Sequence, residues 1–125
     1  MMRRAGLRLT QQRVAIASVL FGGPHQHVTA ESLYGDVNAD GHTVSLATVY
    51  NTLEQFQKAG LVREIAIDAS RSYFDTDTAN HSHFYDEKSG RLFDIQTPIS
   101  VVGLPAPPEG TAIRLIDVIV RLEPQ

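Results

Sequence analysis

Residues 45–60 read SLATVYNTLEQFQKAG, and the pattern predicts one helix. Apolar side chains recur at steps of three and four residues, as on the buried stripe of an amphipathic helix. The stripe consists of Leu46, Val49, Tyr50, Leu53 and Phe56. Ser45 is a preferred N-cap residue, and Gly60 stands where a left-handed residue commonly ends a helix.

The opposite face of this helix is polar but almost uncharged. It carries Ala47, Thr48, Asn51, Thr52, Gln55 and Lys58. A solvated helix face normally holds Glu and Lys, whereas a helix that enters a DNA groove needs short side chains with amide or hydroxyl groups. An ordinary amphipathic helix is the alternative, so the neighbouring sequence has to decide between the two.

Composition narrows the class of protein. The chain has 125 residues, 42% of them hydrophobic, which is enough for one domain or two small ones. It has no signal-peptide pattern and no run of the ~20 apolar residues of a membrane span, so we expect a cytoplasmic protein with no membrane partner. Because there is no cysteine, any metal would be held by histidines and carboxylates.

Charge is divided unevenly along the chain. Residues 1–63 carry six Lys or Arg against four acids, while residues 64–125 carry five against ten. The basic first half suits contact with phosphate, and the acidic second half does not.

Two earlier helices precede the central one. Thr10 and Thr29 are the expected N-caps, and a Gly22-Gly23-Pro24 run ends the first of these helices. After the third helix, two short apolar runs flank residues 68–71 and predict a hairpin with Arg71 at its tip. Helix, helix, recognition helix and hairpin together predict a winged helix-turn-helix.

A second unit follows a linker. The polar residues around 75–82 lack periodicity. Two runs on either side of a four-residue loop then predict another hairpin, and pairing Asp86 with Arg91 places His83 opposite Asp94. His81 lies two residues before His83 and points to the same side.

The last part of the chain predicts an interface. Residues 99–104 suggest a helical turn or two, and residues 111–122 suggest a long strand with apolar residues on both faces. A unit of about 45 residues has little with which to cover two apolar faces, which favours a homodimer. The alternative is a central strand buried within the small unit itself.

The histidines are the candidate chemistry. An H-x-H pair on a strand with carboxylates nearby has metal-ligand spacing, because both imidazoles project from one face. Exposed histidines also occur in this pattern, so both interpretations stay open. His27 and Asp75 would support metal binding if they lay close together.

These residues resemble the ferric uptake regulator superfamily. The resemblance is carried by Leu46-Ala47-Thr48-Val49-Tyr50-Asn51-Thr52-Leu53, Leu9-Thr10-x-x-Arg13 and His27-Val28-Thr29-Ala30-Glu31-x-Leu33-Tyr34. It implies an α+β fold with three parts: an N-terminal winged helix-turn-helix domain at 1–76, a hinge at 77–80 and a small α/β dimerisation domain at 81–125.

The resemblance also implies a metal site and a partner. One divalent metal per subunit, Fe, Mn or Zn, would bind at the hinge, and the partner would be a double-stranded DNA operator. The implied metal ligands are His27, Asp75, His81, His83 and Asp94. The candidate DNA contacts are Arg8, Arg13, Ser45, Ala47, Thr48, Tyr50, Asn51 and Arg71. Tyr50 has two competing roles, since its phenol could reach phosphate while its ring fits the buried stripe.

Departures from the family pattern matter as well. Where most members carry a first C-x-x-C pair, this chain has Asp86 and Ser89, so we expect no structural four-cysteine zinc. An additional His/Asp site of the family aligns with Asn80 and Ser82, which depart from that ligand set. The chain looks similar to the iron response regulator branch of alphaproteobacteria. Haem is therefore a further candidate effector, although the haem-regulatory Cys-Pro motif is missing.

The expected function is a metal-responsive repressor of iron or metal homeostasis genes, with haem as a second candidate effector. No catalytic residue and no small-molecule substrate are predicted. An iron-loaded peroxide sensor is the nearest alternative. A metal hydrolase would need an open coordination position, a general base and a substrate pocket, and a winged helix that binds only protein would show no salt-dependent DNA affinity.

Overall fold

The computed structural model describes residues 10–125. Its elements are α1 Gln11–Phe21, β1 His27–Val28, α2 Ala30–Ala39, α3 Leu46–Lys58, β2 Arg63–Asp68, β3 Arg71–Asp75, β4 Ser82–Asp86, β5 Arg91–Ile95 and β6 Ile119–Leu122. The strands form two three-stranded sheets, and the chain divides into two compact units between residues 78 and 79. No helix within residues 10–125 is long and apolar enough to cross a bilayer.

The three helices begin at the predicted caps. The side chains of Thr10 and Ser45 accept hydrogen bonds from backbone N–H groups three residues later. Thr29 forms a capping box with Ser32, in which each side chain accepts from the other residue's N–H. Beyond α3, Gly60 has a φ of +78°, a value that favours glycine and confirms its predicted role.

The first unit packs its helices around one apolar core. The buried cluster comprises Ile16, Leu20, Val28, Ala30, Leu33, Val37, Val44, Val49, Leu53, Phe56, Val62 and Phe74. All three helices contribute to it, so the core holds α3 against α1 and α2 and leaves one side of α3 exposed.

The rotation of α3 about its axis differs from the sequence prediction. The buried side chains of α3 are Val49, Thr52, Leu53 and Phe56. Leu46 and Tyr50 are 36% and 47% exposed, so their assignment to the buried stripe was wrong. The assignment of Thr52 to the polar face was also wrong, since it is only 2% exposed. Periodicity identifies a helix, but packing decides which of two adjacent residues turns inward.

A small sheet completes the first unit. Strands β2 and β3 form the predicted antiparallel wing, with a register shift between Ala66 and Asp68 next to the turn. Strand β1 pairs with the other side of β3 and sets His27 opposite Asp75. Nothing in the sequence predicted this third strand.

The second unit is the sheet β5-β4-β6. Strands β4 and β5 are antiparallel, and His83 lies opposite Asp94 in the predicted register. Strand β6 runs parallel to β4 on its other side.

Two predictions for the second unit were wrong. The strand expected over residues 111–122 forms only at Ile119–Leu122, and residues 99–104 form no helix. The prolines at 98 and 105 and the positive φ of Gly103 interrupt regular backbone hydrogen bonding around that segment.

Candidate metal ligands and nucleic-acid interface

A buried carboxylate in the first unit lies against an imidazole. Asp75 is 1% exposed, and its Oδ2 lies 3.0 Å from His27 Nε2. Its Oδ1 accepts a hydrogen bond from the backbone N–H of Asp77 at 2.9 Å. The pair exists because β1 and β3 place the two residues directly opposite each other. Burying a carboxylate costs free energy unless hydrogen bonds and a positive charge compensate it. The imidazole can provide that charge by carrying a proton, or it can bind a metal cation together with the carboxylate.

The second unit holds a cluster of two imidazoles and one carboxylate. Asp94 Oδ1 lies 2.9 Å from His81 Nε2 and 3.2 Å from His83 Nε2. The two imidazole rings are 4.5 Å apart between centroids, and the candidate ligand atoms of all three side chains lie within 4.8 Å of one another. His83 is 1% exposed. Two nitrogens and one oxygen therefore face a common point.

The hydrogen bonds of His81 indicate that this point attracts a cation. Its Nδ1 lies 2.7 Å from the backbone carbonyl of Ala79. A carbonyl only accepts, so Nδ1 carries a proton, and in the neutral ring Nε2 then presents a lone pair. That lone pair faces an oxygen of Asp94 at 2.9 Å, where two acceptors repel each other. A proton or a metal ion at Nε2 removes the repulsion, and a second hydrogen bond of this kind is typical of metal-binding histidines.

The donor types fit a divalent transition metal. Imidazole nitrogens and carboxylate oxygens suit iron, manganese and zinc and do not discriminate among them. The five residues that the sequence singles out thus lie in two clusters, His27 with Asp75 in the first unit and His81, His83 and Asp94 in the second.

Six of the eight predicted DNA-contact residues lie at the start of α3 and on the wing. Ser45, Ala47, Tyr50 and Asn51 are exposed, whereas Thr48 is half-buried. The Thr48 hydroxyl lies 2.9 Å from Ser45 Oγ, the atom that caps the helix by accepting from the Thr48 backbone N–H. Arg71 is exposed at the start of β3, and Arg13 is half-buried on α1. Arg8 lies outside the described residues.

Sequence reasoning missed one contact on this surface. The hydroxyl of Tyr50 donates a hydrogen bond to the carboxylate of Glu31, which belongs to the first turn of α2. This hydrogen bond and the nearby negative charge raise the pKa of the Tyr50 phenol. The two residues are 19 apart in sequence, and no local pattern connects them.

The fold and these side chains define a winged-helix protein with clustered His and Asp side chains. The family model of the ferric uptake regulator family matches residues 4–103, and the chain belongs to that family. The family is named after a regulator, which is the class of protein that the sequence predicted. Membership confirms the superfamily that the sequence motifs indicated.

Relatives and solved structures agree with this assignment. The peroxide-responsive repressor PerR of Staphylococcus aureus is 40% identical over 97 residues, which cover 78% of this chain and 65% of that repressor. The ferric uptake regulator of Pseudomonas aeruginosa, solved with manganese, is 25% identical with a TM-score of 0.72, covering 99% of this chain and 95% of that one. The Vibrio cholerae ferric uptake regulator is 24% identical with a TM-score of 0.75 over 98% and 95% of the two chains. The predicted α+β fold is confirmed, with a winged helix-turn-helix followed by a small second unit.

Proposed function

We propose that this protein is a metal-responsive, DNA-binding transcription regulator that represses iron or metal homeostasis genes as a homodimer. Family membership supports the regulatory class. The observation that carries the metal part is the pair of ligand clusters, because in each unit an imidazole Nε2 faces a buried or half-buried carboxylate oxygen.

The proposed metal ligands are His27, Asp75, His81, His83 and Asp94. We propose that the two clusters share one divalent ion per subunit, Fe, Mn or Zn. The ion would supply a localised positive charge to which the carboxylates and the imidazole lone pairs are drawn.

The division of these ligands between two units suggests how metal would control DNA binding. We propose a winged-helix domain at 1–76, a hinge at 77–80 and a dimerisation domain at 81–125. His27 and Asp75 belong to the first domain, and the other three ligands belong to the last. Ligands held together across the hinge would fix the spacing of the two recognition helices in a dimer, which has to match half-sites about 34 Å apart. A metal ion that binds this arrangement more tightly than other arrangements of the two domains increases the population of this arrangement.

The proposed DNA surface is the exposed start of α3 with the wing. The contacts to DNA would come from Arg8, Arg13, Ser45, Ala47, Thr48, Tyr50, Asn51 and Arg71. Exposed apolar side chains of the second unit support a dimer, because an exposed apolar patch is typical of a surface that another protein chain covers. They include Ile99, Val101, Val102, Leu104, Ile113 and Ile116.

The decisive experiment measures DNA affinity as a function of metal. Wild type and His83→Ala would be titrated onto a duplex selected by the wild type, as metal-free protein and with Mn²⁺, Fe²⁺, Zn²⁺ or haem. We expect metal to change the wild-type affinity and to have little effect on His83→Ala. His42→Ala is the matched control for metal stoichiometry, since His42 belongs to neither cluster. Equal affinity in every condition would remove the metal switch and leave DNA binding intact.

Peroxide sensing is a second candidate function, which the 40% identity to peroxide-responsive repressors favours. In that case the iron-loaded protein would oxidise its own histidines when it meets hydrogen peroxide. Mass spectrometry of tryptic peptides should then show one added oxygen atom on His27 or His81, only with iron and only after peroxide. Unmodified peptides would leave metal-dependent repression as the single function. The haem response and membership of the iron response regulator branch stay predictions.

A further inference from the structure

The exposed tyrosine of the recognition helix is held by a carboxylate from another helix. Tyr50 is 47% exposed on α3, and its hydroxyl donates to Oε1 of Glu31 on α2. Both side chains border a cleft of about 470 Å³ between the helices and the wing, which also includes Glu54, Lys58 and Arg71. The bond therefore lies on the surface that the proposed function assigns to DNA.

This hydrogen bond limits what Tyr50 can offer to a nucleic acid. A phenol has one O–H donor, and a carboxylate can only accept. While the bond persists, Tyr50 presents only its oxygen lone pairs and its ring to an outside partner. Phosphate oxygens are also acceptors, so Tyr50 cannot donate to the DNA backbone. The major groove, in contrast, offers amino donors on adenine and cytosine and the methyl group of thymine.

The charge of Glu31 acts on all duplexes alike. A carboxylate on this surface disfavours close approach of phosphate, which is the contact that dominates sequence-independent binding. A phenol is protonated throughout the neutral range even at its ordinary pKa, and Glu31 shifts the pKa of Tyr50 upward, so the proton stays available to Glu31.

We propose that Glu31 is a specificity-determining residue that, by accepting the only donor proton of Tyr50, converts this side chain from a phosphate contact into a base contact. The inference rests on the proposed DNA-binding function and refines it. Glu31 acts through Tyr50 and is a positioning residue, which distinguishes it from a residue that only adds negative charge.

Two substitutions of Glu31 separate positioning from charge. Glu31→Gln removes the charge but keeps an amide oxygen that can accept the Tyr50 proton. Glu31→Ala removes both the charge and the acceptor. Glu54→Gln is the matched control, since Glu54 borders the same cleft and pairs with Lys58 at 3.2 Å. Tyr50→Phe, alone and combined with Glu31→Ala, completes the set.

The measurement is discrimination between two duplexes at one salt concentration. A duplex selected by the wild type from a randomised library is compared with a scrambled duplex of the same composition. We expect Glu31→Ala to lower the affinity ratio about five- to tenfold, the lower range for losing one base contact, mainly by tighter binding to the scrambled duplex. Glu31→Gln and Glu54→Gln should retain the wild-type ratio. Glu31→Ala should change nothing further in the Tyr50→Phe background.

A spectroscopic readout follows the same bond without DNA. An absorbance titration follows the ionisation of the tyrosines, and comparison with Tyr50→Phe identifies the signal of Tyr50. That signal should titrate at lower pH in Glu31→Ala than in wild type. Circular dichroism then establishes that each variant is folded.

The outcomes are distinct. Equal loss of discrimination in Glu31→Ala, Glu31→Gln and Glu54→Gln would show a charge effect and overturn the positioning role. An unchanged ratio in Glu31→Ala would overturn it as well. A wild type that selects no duplex would refute the DNA-binding function, and this inference would fall with it.

Discussion

Replacing Asp75 by Asn should separate metal binding from folding. The carboxylate is 1% exposed and uses both oxygens, Oδ1 from the Asp77 N–H at 2.9 Å and Oδ2 with His27 Nε2 at 3.0 Å. Asn has nearly the same shape. Its carbonyl oxygen can accept from Asp77, and its amide N–H can donate to the imidazole. What it lacks is the negative charge and the second ligand oxygen.

Asp75→Asn should have a small effect on the stability of the metal-free protein and a large effect on metal affinity. A typical hydrogen bond contributes about 1 kcal/mol to the free energy of unfolding. Asp75→Asn retains both bonds, so the metal-free protein should change by less than about 1 kcal/mol, while Asp75→Ala loses both and should cost about 2–4 kcal/mol. Even outer-shell changes weaken metal sites about 10–100-fold. At a free metal concentration of 100 times the wild-type Kd, metal binding raises the free energy of unfolding of the wild type by about 2.7 kcal/mol. For a variant whose site is weakened 100-fold, the increase is only about 0.4 kcal/mol.

Urea unfolding with a chelator and with buffered Zn²⁺ measures both quantities. Asp68→Asn is the control, because it makes the same chemical change at an exposed turn of the same sheet, where Asp68 accepts from Ser70. The reasoning is refuted if Asp75→Asn gains as much from zinc as the wild type does. It is also refuted if the metal-free Asp75→Asn protein is as unstable as Asp75→Ala.

Three further predictions concern stability and titration. Gly60→Ala should destabilise the protein by about 1–2 kcal/mol because the φ of Gly60 is +78°. Gly35→Ala within α2 should stabilise it by about 0.5–1 kcal/mol. A Cβ at either site meets nothing within 4 Å, so equal shifts of the two variants in urea unfolding would contradict the role of φ. Thr29→Ala should cost about 1 kcal/mol through the lost cap, whereas Thr29→Ser should be nearly neutral in the same assay. The pKa of Asp86 is lowered from 3.8, mainly by a hydrogen bond from the Ser89 hydroxyl and secondarily by backbone N–H groups. The associated stabilisation is present above pH 3.8 and is lost as the pH falls through the folded-state pKa. Ser89→Ala should move the Asp86 titration up toward 3.8 in an NMR pH series, and an unchanged titration would rule out the hydroxyl as the main cause.

Helix α3 shows where periodicity stops being informative. Apolar spacing and the Ser45 cap predicted α3 correctly. They did not distinguish Tyr50 from Thr52, since an aromatic residue was expected inside and a hydroxyl outside. The structure reverses both, because the core against α1 and α2 accepts the small Thr52 and leaves Tyr50 at the surface beside Glu31.

The two clusters of proposed metal ligands also differ in how far the sequence could predict them. The facing of His83 and Asp94 follows from the length of one hairpin loop, since the loop sets the register of antiparallel strands. His27 and Asp75 meet only because a two-residue strand pairs with the wing, and such a short strand leaves no periodic signal.

Sequence by itself determined the helices, their caps, the wing hairpin and the His83–Asp94 register, because each depends on interactions between residues close along the chain. Tertiary structure alone decided the rotation of α3, the pairing of β1 with β3, the parallel placement of β6 and the Tyr50–Glu31 bond. Those features join segments distant in sequence, and their energies come from shared burial and from contacts that form only when the whole core is packed.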